Sequence, residues 1–239
     1  METMETQFDF EKLNDEYPLT KKYELTGIVG LNSFELVKFA ESRKLEDSHP
    51  CFVFENNYEK QHFEGLKRFS TRILELVLDE PISFFAEIKE CYFITESTRN
   101  RIDNRLLDLA SWAYLLDIPF RFYRKKQEQY REISVMDEVQ NRLLYILEER
   151  DLNIIHPSSI TISGDYGSSG LWTKDGMIPY DMLDLPFELV QRLTIWAESY
   201  WHFLEGPCSQ EWCLAYEWLQ EQLANELRTV LGIEVDSIP

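Results

Sequence analysis

The sequence predicts an α+β fold that is rich in helix and contains short strands. Three observations predict this class. Several stretches carry apolar residues at helical spacing, short β-branched or aromatic runs separate them, and an Asp-Gly pair between apolar residues marks a hairpin around residues 160–180. Hydrophobic side chains make up 44% of the 239 residues, which is enough for a packed core and excludes an intrinsically disordered chain.

The first half is predicted to alternate short strands with amphipathic helices. Asn32 and Glu35 form a capping-box pattern, which marks the start of a helix. Between residues 82 and 94 the apolar residues fit a strand and a helix equally well. The predicted elements are, in order, an acidic lead-in over 1–20, a strand over 23–29, a helix over 33–44, a strand over 51–54, a helix over 58–78, a helix over 98–116 and a strand over 118–124.

The composition changes near residue 136, and we predict two subdomains, residues 21–136 and 137–239, joined near 132–137. Pro186 suits the first turn of a helix because it lacks an N–H, and Gly232 suits a helix C-terminus. The predicted elements are a helix over 137–150, strands at 154–155 and 159–163, hairpin strands at 171–173 and 177–178, helices over 186–204 and 209–231, and a closing strand at 233–235.

The chain is strongly acidic, and most of the excess lies in the second half. It has 24 Lys and Arg against 43 Asp and Glu, a formal net charge of −19 at pH 7. Residues 1–136 hold 25 acids and 19 bases, whereas residues 137–239 hold 18 acids and 5 bases. The longest basic stretch, within 121–126, fits a strand with basic outward side chains. This charge disfavours direct binding to nucleic acid or to an anionic membrane and favours a basic protein partner.

No residue pattern identifies a catalytic or metal centre. The glycines of residues 164–170 lack the Lys-Ser/Thr pair and the following helix of a phosphate-binding loop, so they favour a close-packed turn. Cys208 and Cys213 with His202 are one conceivable metal set, but buried reduced thiols are the favoured interpretation. We therefore expect no enzymatic activity, no cofactor and no metal.

The N-terminal residues do not have the pattern of a secretory signal. Residues 1–6 are acidic and polar, where a signal peptide is basic and then apolar. No apolar run approaches the roughly 20 residues that a membrane-spanning helix needs. We therefore expect a cytoplasmic protein without a membrane segment.

Five of the six tryptophans lie in the second half. Trp196 and Trp212 fall on apolar helical faces and are predicted to be core residues. Trp201 and Trp218 fall closer to the polar sides of their helices, where packing is the favoured interpretation and a protein-binding role is the alternative.

One stretch of the second half resembles a known family. It runs from Ser-Gly-Asp-Tyr-Gly-Ser-Ser-Gly-Leu-Trp at 163–172 through Gly176 and the Leu-Pro-Phe-Glu-Leu-Val-Gln-Arg-Leu segment at 185–193 to Trp196 and Tyr200. Over about residues 160–204 this pattern is similar to immunity proteins of bacterial polymorphic-toxin and contact-dependent-inhibition systems. The resemblance describes a hairpin followed by a helix, implies binding to a toxin domain, and transfers no functional residues.

We therefore predict an immunity or antitoxin-like inhibitor whose acidic surface binds and neutralises a basic bacterial toxin domain, such as a nuclease. Two alternatives stay open: an enzyme with a carboxylate-lined pocket that the sequence does not reveal, and a DNA-mimic inhibitor whose carboxylates copy phosphate spacing. The predicted partner-binding residues, chosen from predicted loops and a helix start, are Asp165, Tyr166, Asp175, Asp181, Asp184 and Glu188.

Overall fold

A computed structural model describes residues 7–20, 25–30, 33–45, 50–54, 72–75, 81–95, 101–126, 129–165 and 168–238. The chain divides into two compact units. The split unit comprises residues 1–22 and 153–239, and the inserted unit comprises residues 23–152. Both units combine helices with sheets that contain parallel and antiparallel pairs, so the predicted α+β class is confirmed.

The described helices and strands follow in chain order. The helices are α1 (Phe10–Glu16), α2 (Ser33–Arg43), α3 (Pro81–Phe85), α4 (Asn104–Leu115), α5 (Met136–Asn153), α6 (Phe187–Ser199), α7 (Trp201–Glu205) and α8 (Gln210–Leu231). The strands are β1 (Leu25–Gly30), β2 (Pro50–Phe54), β3 (Arg72–Glu75), β4 (Ile88–Thr95), β5 (Phe120–Lys126), β6 (Gln129–Ile133), β7 (Ser159–Ile162), β8 (Leu171–Thr173), β9 (Gly176–Met177) and β10 (Glu234–Ser237).

The inserted unit contains a doubly wound sheet. Its strand order is β3-β2-β1-β4-β5-β6, in which neighbours from β3 to β5 are parallel and β6 is antiparallel to β5. Helix α2 packs on β1 and β4, and α4 packs on β4 and β5. Ile28, Phe39, Ile94 and Tyr123 form one core cluster beneath α2. Because the chain leaves β1 toward β2 and later returns to β4, the strand order reverses between β1 and β4.

The split unit contains a smaller sheet of order β10-β7-β8-β9. Strand β10 is parallel to β7, and the other pairs are antiparallel. Gly232 has a left-handed backbone at the end of α8 (φ 66°), which turns the chain into β10 as the sequence predicts. Helices α6 and α8 pack against each other.

A stack of three aromatic rings lies at the centre of the split unit. Tyr216 is stacked between Trp196 and Trp212, with ring centroids 5.2 and 5.6 Å apart. Both tryptophans are buried, as predicted. A Cβ atom at Gly170 would lie 2.5 Å from Trp196, and one at Gly164 would lie 2.3 Å from the Tyr216 Oη. The backbone of this glycine-rich stretch therefore packs directly on the rings, which is the close-packed turn predicted for it.

The N-terminal segment is part of the split unit. Leu13 and Leu19 are buried, so residues 7–20 of the predicted acidic lead-in are a packed segment with its own helix. The Glu16 carboxylate accepts hydrogen bonds from the Ser209 backbone N–H and Oγ, both at 2.8 Å. Ser209 in turn caps α8, because its Oγ accepts from the Trp212 N–H. These bonds join the two ends of the chain across the inserted residues.

Helical and strand spacing predicted most of the described elements to within a few residues. The helices predicted over 33–44, 137–150 and 209–231 are α2, α5 and α8, and the strand predicted at 233–235 is β10. The undecided stretch 82–94 contains both α3 and β4. Asn32, most of the helix predicted over 58–78 and residues 98–100 of the next one lie outside the described residues.

Several predictions are wrong in detail. Residues 72–75 form strand β3, not the end of a helix, because they pair with β2. Residues 154–155 form no strand, β6 was not predicted, and the helix predicted over 186–204 is interrupted at Tyr200 between α6 and α7. The predicted junction near 132–137 lies at the start of α5, within the inserted unit, whereas the two units divide after residues 22 and 152.

The hairpin is present, but its two turn residues differ from the Asp-Gly pair that predicts it. Thr173 pairs with Gly176, so Lys174 and Asp175 are the two turn residues, not Asp175 and Gly176. Neither Lys174 nor Asp175 is among the residues with positive φ, whereas Gly176 has a φ of 132°. Glycine is therefore needed just after the turn, at the first residue of β9.

The contact between Gly164 and Tyr216 makes a stability prediction. We expect Gly164→Ala to destabilise the split unit by about 1–3 kcal/mol, because the added methyl group overpacks the aromatic stack. Urea unfolding followed by tryptophan fluorescence measures this, since five of the six tryptophans belong to the split unit. Gly206→Ala is the matched control, because a Cβ there meets nothing within 4 Å. Equal stability of the two variants would contradict the packing account.

The Glu16–Ser209 contact makes a pH prediction. Hydrogen bonds from Ser209 lower the pKa of Glu16 below its ordinary value. The stabilisation is therefore complete above the ordinary pKa of a glutamate and is lost as the pH falls below about 5. We expect Glu16→Gln to unfold at lower urea than the wild type at pH 7 and to differ less from it in acid. A constant difference at all pH values would contradict the assignment.

Candidate functional site

The negative charge is concentrated in the split unit. That unit contains 19 Asp and Glu against 6 Lys and Arg, and the inserted unit contains 24 against 18. The two units carry the same net charges, −13 and −6, as the two sequence halves, and the acidic N-terminal segment belongs to the more acidic unit.

Five of the six predicted partner-binding residues lie in the described part of the chain, and Tyr166 lies outside it. Asp175 is exposed at the turn between β8 and β9. Asp181 is partly buried in a 3-10 turn over Tyr180–Met182. Asp184 and Glu188 are exposed on either side of the start of α6, and Asp165 is exposed after β7.

The hairpin forms one wall of a cavity of about 310 Å³. The other walls are the loop after α5 and the 3-10 turn. Hydrogen bonds hold these segments together: the Ile155 N–H donates to the Met182 carbonyl at 2.9 Å, and the Ile178 N–H donates to the Leu171 carbonyl at 2.9 Å. The lining residues are Ile155, His156, Pro157, Thr173, Asp175, Gly176, Met177, Ile178 and Met182.

Asp165 lines a different cavity, of about 260 Å³, beside β7 and β8. There the Trp172 Nε1 donates to the Ser163 carbonyl at 3.2 Å, which fixes the indole against the loop. Asp165 and Asp175 are therefore not parts of one cavity. The lining residues are Thr161, Ser163, Gly164, Asp165 and Trp172.

Three described cations of the split unit pair with glutamates of α8. Sequence reasoning did not select these glutamates, although helical spacing places them on the outer face. Within the described residues, the ion pairs are Lys12 with Glu211 at 3.0 Å, Arg192 with Glu226 at 2.6 Å and Arg228 with Glu221 at 2.9 Å.

The segment from 174 to 188 keeps its negative charge. It contains four acids, and Lys174 is its one base. Among the described residues, the Asp175 carboxylate has no hydrogen bond or ion pair with another side chain. We call residues 174–188 the acidic hairpin surface. Three of its four acids, Asp175, Asp184 and Glu188, are exposed.

The two tryptophans on the polar sides of their helices differ in exposure. Trp201 is 40% exposed, which differs from the packed position that the sequence favoured for it. Trp218 is partly buried, because Phe8 and Phe10 lie against it with ring centroids 5.8 Å away. The N-terminal segment thus covers the second of these tryptophans.

The cysteines and histidines form no metal-binding group in the described residues, where no cluster of three or more His, Cys, Asp or Glu is arranged to hold an ion. His202 stacks on Tyr17 with ring centroids 4.1 Å apart. Burial raises the pKa of the Cys208 and Cys213 thiols, which favours their neutral form. In the same described part of the chain, no helix is both long and apolar enough to cross a membrane.

The inserted unit has a second polar site, which sequence reasoning missed. The Glu35 carboxylate lies 3.9 Å from the Lys125 Nζ and accepts a hydrogen bond from the Tyr130 hydroxyl at 2.9 Å. The Glu35 and Lys125 side chains are only 13% and 15% exposed. Glu35 lies in the first turn of α2 and Lys125 near the end of β5, so the pair lies at the carboxyl edge of the parallel sheet.

Comparison of this chain with protein-family models, with curated proteins and with solved structures found no match. The resemblance of residues 160–204 to immunity proteins therefore stays a prediction. What the structure adds is the position of the acidic hairpin surface and of the two cavities that Asp175 and Asp165 line.

Proposed function

We propose that this chain is an inhibitor of the immunity or antitoxin type, which binds a basic bacterial toxin domain through the acidic hairpin surface. The observation that carries the proposal is the exposed acidic charge of this surface. It has four acids against one base, and Asp175, Asp184 and Glu188 are exposed. A basic partner is attracted to a surface on which carboxylates outnumber cations.

Local charge matters more than total charge under physiological conditions. At an ionic strength of about 0.15 M the Debye length is about 8 Å, so exposed charges farther away are largely screened. Asp175, Asp184 and Glu188 are exposed and belong to one continuous segment. Exposed carboxylates of this segment speed the encounter with a basic surface, whereas buried apolar contacts set the lifetime of the complex.

Inhibition by occlusion requires neither catalysis nor a cofactor. In this proposal the chain acts in the cytoplasm and covers the basic active-site surface of the toxin domain. A nuclease domain fits this role, because its substrate-binding surface must be basic to bind phosphates.

Matched charge variants test the proposed function. We expect the triple variant Asp175→Asn, Asp184→Asn, Glu188→Gln to lower the association rate constant with a basic toxin domain by about tenfold or more at 0.15 M salt. The measurement is stopped-flow or surface-plasmon-resonance kinetics with the basic C-terminal domain of a toxin encoded beside this gene. The salt dependence of association should weaken in parallel.

The control triple variant is Glu217→Gln, Glu234→Gln, Asp236→Asn, which makes the same change in net charge. Its two strand residues lie on β10, at the opposite edge of the sheet from the hairpin turn. Three strand spacings amount to about 14 Å, which exceeds the Debye length. Equal losses in the two triple variants, or no complex with the toxin domain at all, would overturn the proposal.

The doubly wound sheet favours a second candidate function, the binding of a small molecule by the inserted unit. In such sheets ligands bind outside the carboxyl ends of the strands, where the strand order reverses. Here that reversal lies between β1 and β4, and the Glu35–Lys125–Tyr130 group lies at the same edge. This candidate differs from the carboxylate-lined enzyme pocket that the sequence left open, because Glu35 is paired with Lys125 and Tyr130.

A fragment screen by amide NMR tests this second candidate. A small-molecule site should give fragments that shift the amide signals of Gly30, Thr95 and Lys125 together, and Lys125→Met should weaken their binding more than Lys126→Met. Lys126 is the exposed neighbour of Lys125 and serves as the control. Fragments that bind only outside the inserted unit would eliminate the candidate.

A further inference from the structure

The cavity behind the hairpin turn has apolar walls and a carboxylate among its lining residues. Ile155, Pro157, Met177, Ile178 and Met182 supply apolar side chains. The ionisable lining residues are Asp175 and His156, both of which are exposed. A site of this composition accommodates a side chain with a long aliphatic stem and a charged end.

The backbone around this cavity is held by hydrogen bonds, and two of the side chains that line it are flexible methionines. The Ser169 Oγ donates to the Ile178 carbonyl at 2.7 Å, and the Tyr180 hydroxyl donates to the Ser169 carbonyl at 2.5 Å. These buried bonds fix the backbone of β9 and of the 3-10 turn. Met177 and Met182 are unbranched and polarisable, so they adjust to the shape of an incoming chain. Met177 is 39% exposed and is therefore accessible to a partner.

The local charge selects a cation. The Asp175 carboxylate is exposed and has no side-chain partner among the described residues. Asp181 precedes the lining residue Met182 in the 3-10 turn, and Asp184 follows shortly after it. Lys174 is the one opposing charge in this segment, and it lies beside Asp175 on the turn.

We propose that this cavity receives an arginine side chain of the basic protein partner, whose guanidinium contacts Asp175 and whose stem packs against Met177 and Met182. The inference rests on the proposed function and names the kind of residue that anchors the partner. Arginine fits better than lysine, because its planar guanidinium binds a carboxylate through two hydrogen bonds and is more weakly hydrated. Arginine is also enriched among the residues that dominate binding at interfaces.

Methionine-methyl NMR tests the inference with a defined probe. The full-length chain, labelled with ¹³C at its methionine methyl groups, is titrated with N-acetyl-arginine amide and, separately, with N-acetyl-citrulline amide. Citrulline has nearly the same shape but no charge. Met177→Leu and Met182→Leu assign the two signals, and Met136 in the inserted unit is the internal reference. We expect the arginine probe to give saturable shifts of the Met177 and Met182 signals. The citrulline probe should bind with an affinity at least about tenfold lower.

Two asparagine variants separate a local effect from a general one. Asp175→Asn should remove the preference for arginine over citrulline. The methionine signals of the free variant should match those of the free wild type, which shows that the variant is folded. Asp165→Asn removes the same charge at the other cavity and should keep the preference. Absent shifts, equal binding of the two probes, or an equal loss in both variants would overturn the inference.

The two proposals fail in different ways. If the arginine probe does not bind but the matched triple variants still differ, the acidic hairpin surface binds its partner without this cavity, and only the inference falls. If the arginine probe binds as expected but the basic toxin domain does not bind the chain, the cavity is an arginine site and the proposed function is wrong.

Discussion

The stacking of Tyr216 between Trp196 and Trp212 is the interaction on which the split unit depends. Trp196 belongs to α6 and the other two rings to α8, while the backbone of Gly164 and Gly170 packs against the stack from the loop between β7 and β8. The N-terminal segment joins the same cluster, because the Trp212 Nε1 donates to the Tyr17 carbonyl at 3.2 Å. One set of buried rings thus organises segments from both ends of the chain. Since β8 continues from this loop into the hairpin, the stack also determines where the acidic hairpin surface lies.

The two units differ in net charge and in the type of sheet that they contain. The split unit holds most of the excess negative charge. Three of its described cations pair with α8, and residues 174–188 have four acids against one base. The inserted unit is closer to neutral and has a doubly wound sheet, whose partly buried Glu35–Lys125 pair lies at the edge where such sheets bind ligands. The proposed protein-binding surface and the candidate small-molecule site belong to different units, so the two candidate functions are tested separately.

Local signals predicted the local structure well. Helical spacing predicted α5 and α8, and the glycine-rich stretch was correctly interpreted as a close-packed turn, because both signals come from neighbouring residues. Contacts between distant segments were not predictable in this way. The spacing of residues 72–75 predicts a helix, because their pairing with β2 is not visible in that spacing. Asp175 was selected as a loop residue, but its cavity requires the loop at 155–157, and Glu35 with Lys125 is a pair 90 positions apart.

Hydrogen exchange of the complex tests the central claim most directly, because it maps the bound surface without any substitution. Backbone amides of the free chain are compared with those of the chain bound to the basic toxin domain. The account predicts that protection on binding is greatest within residues 171–190, which contain the hairpin, the 3-10 turn and the start of α6. Protection confined to the inserted unit, or centred on the outer face of α8, would contradict it.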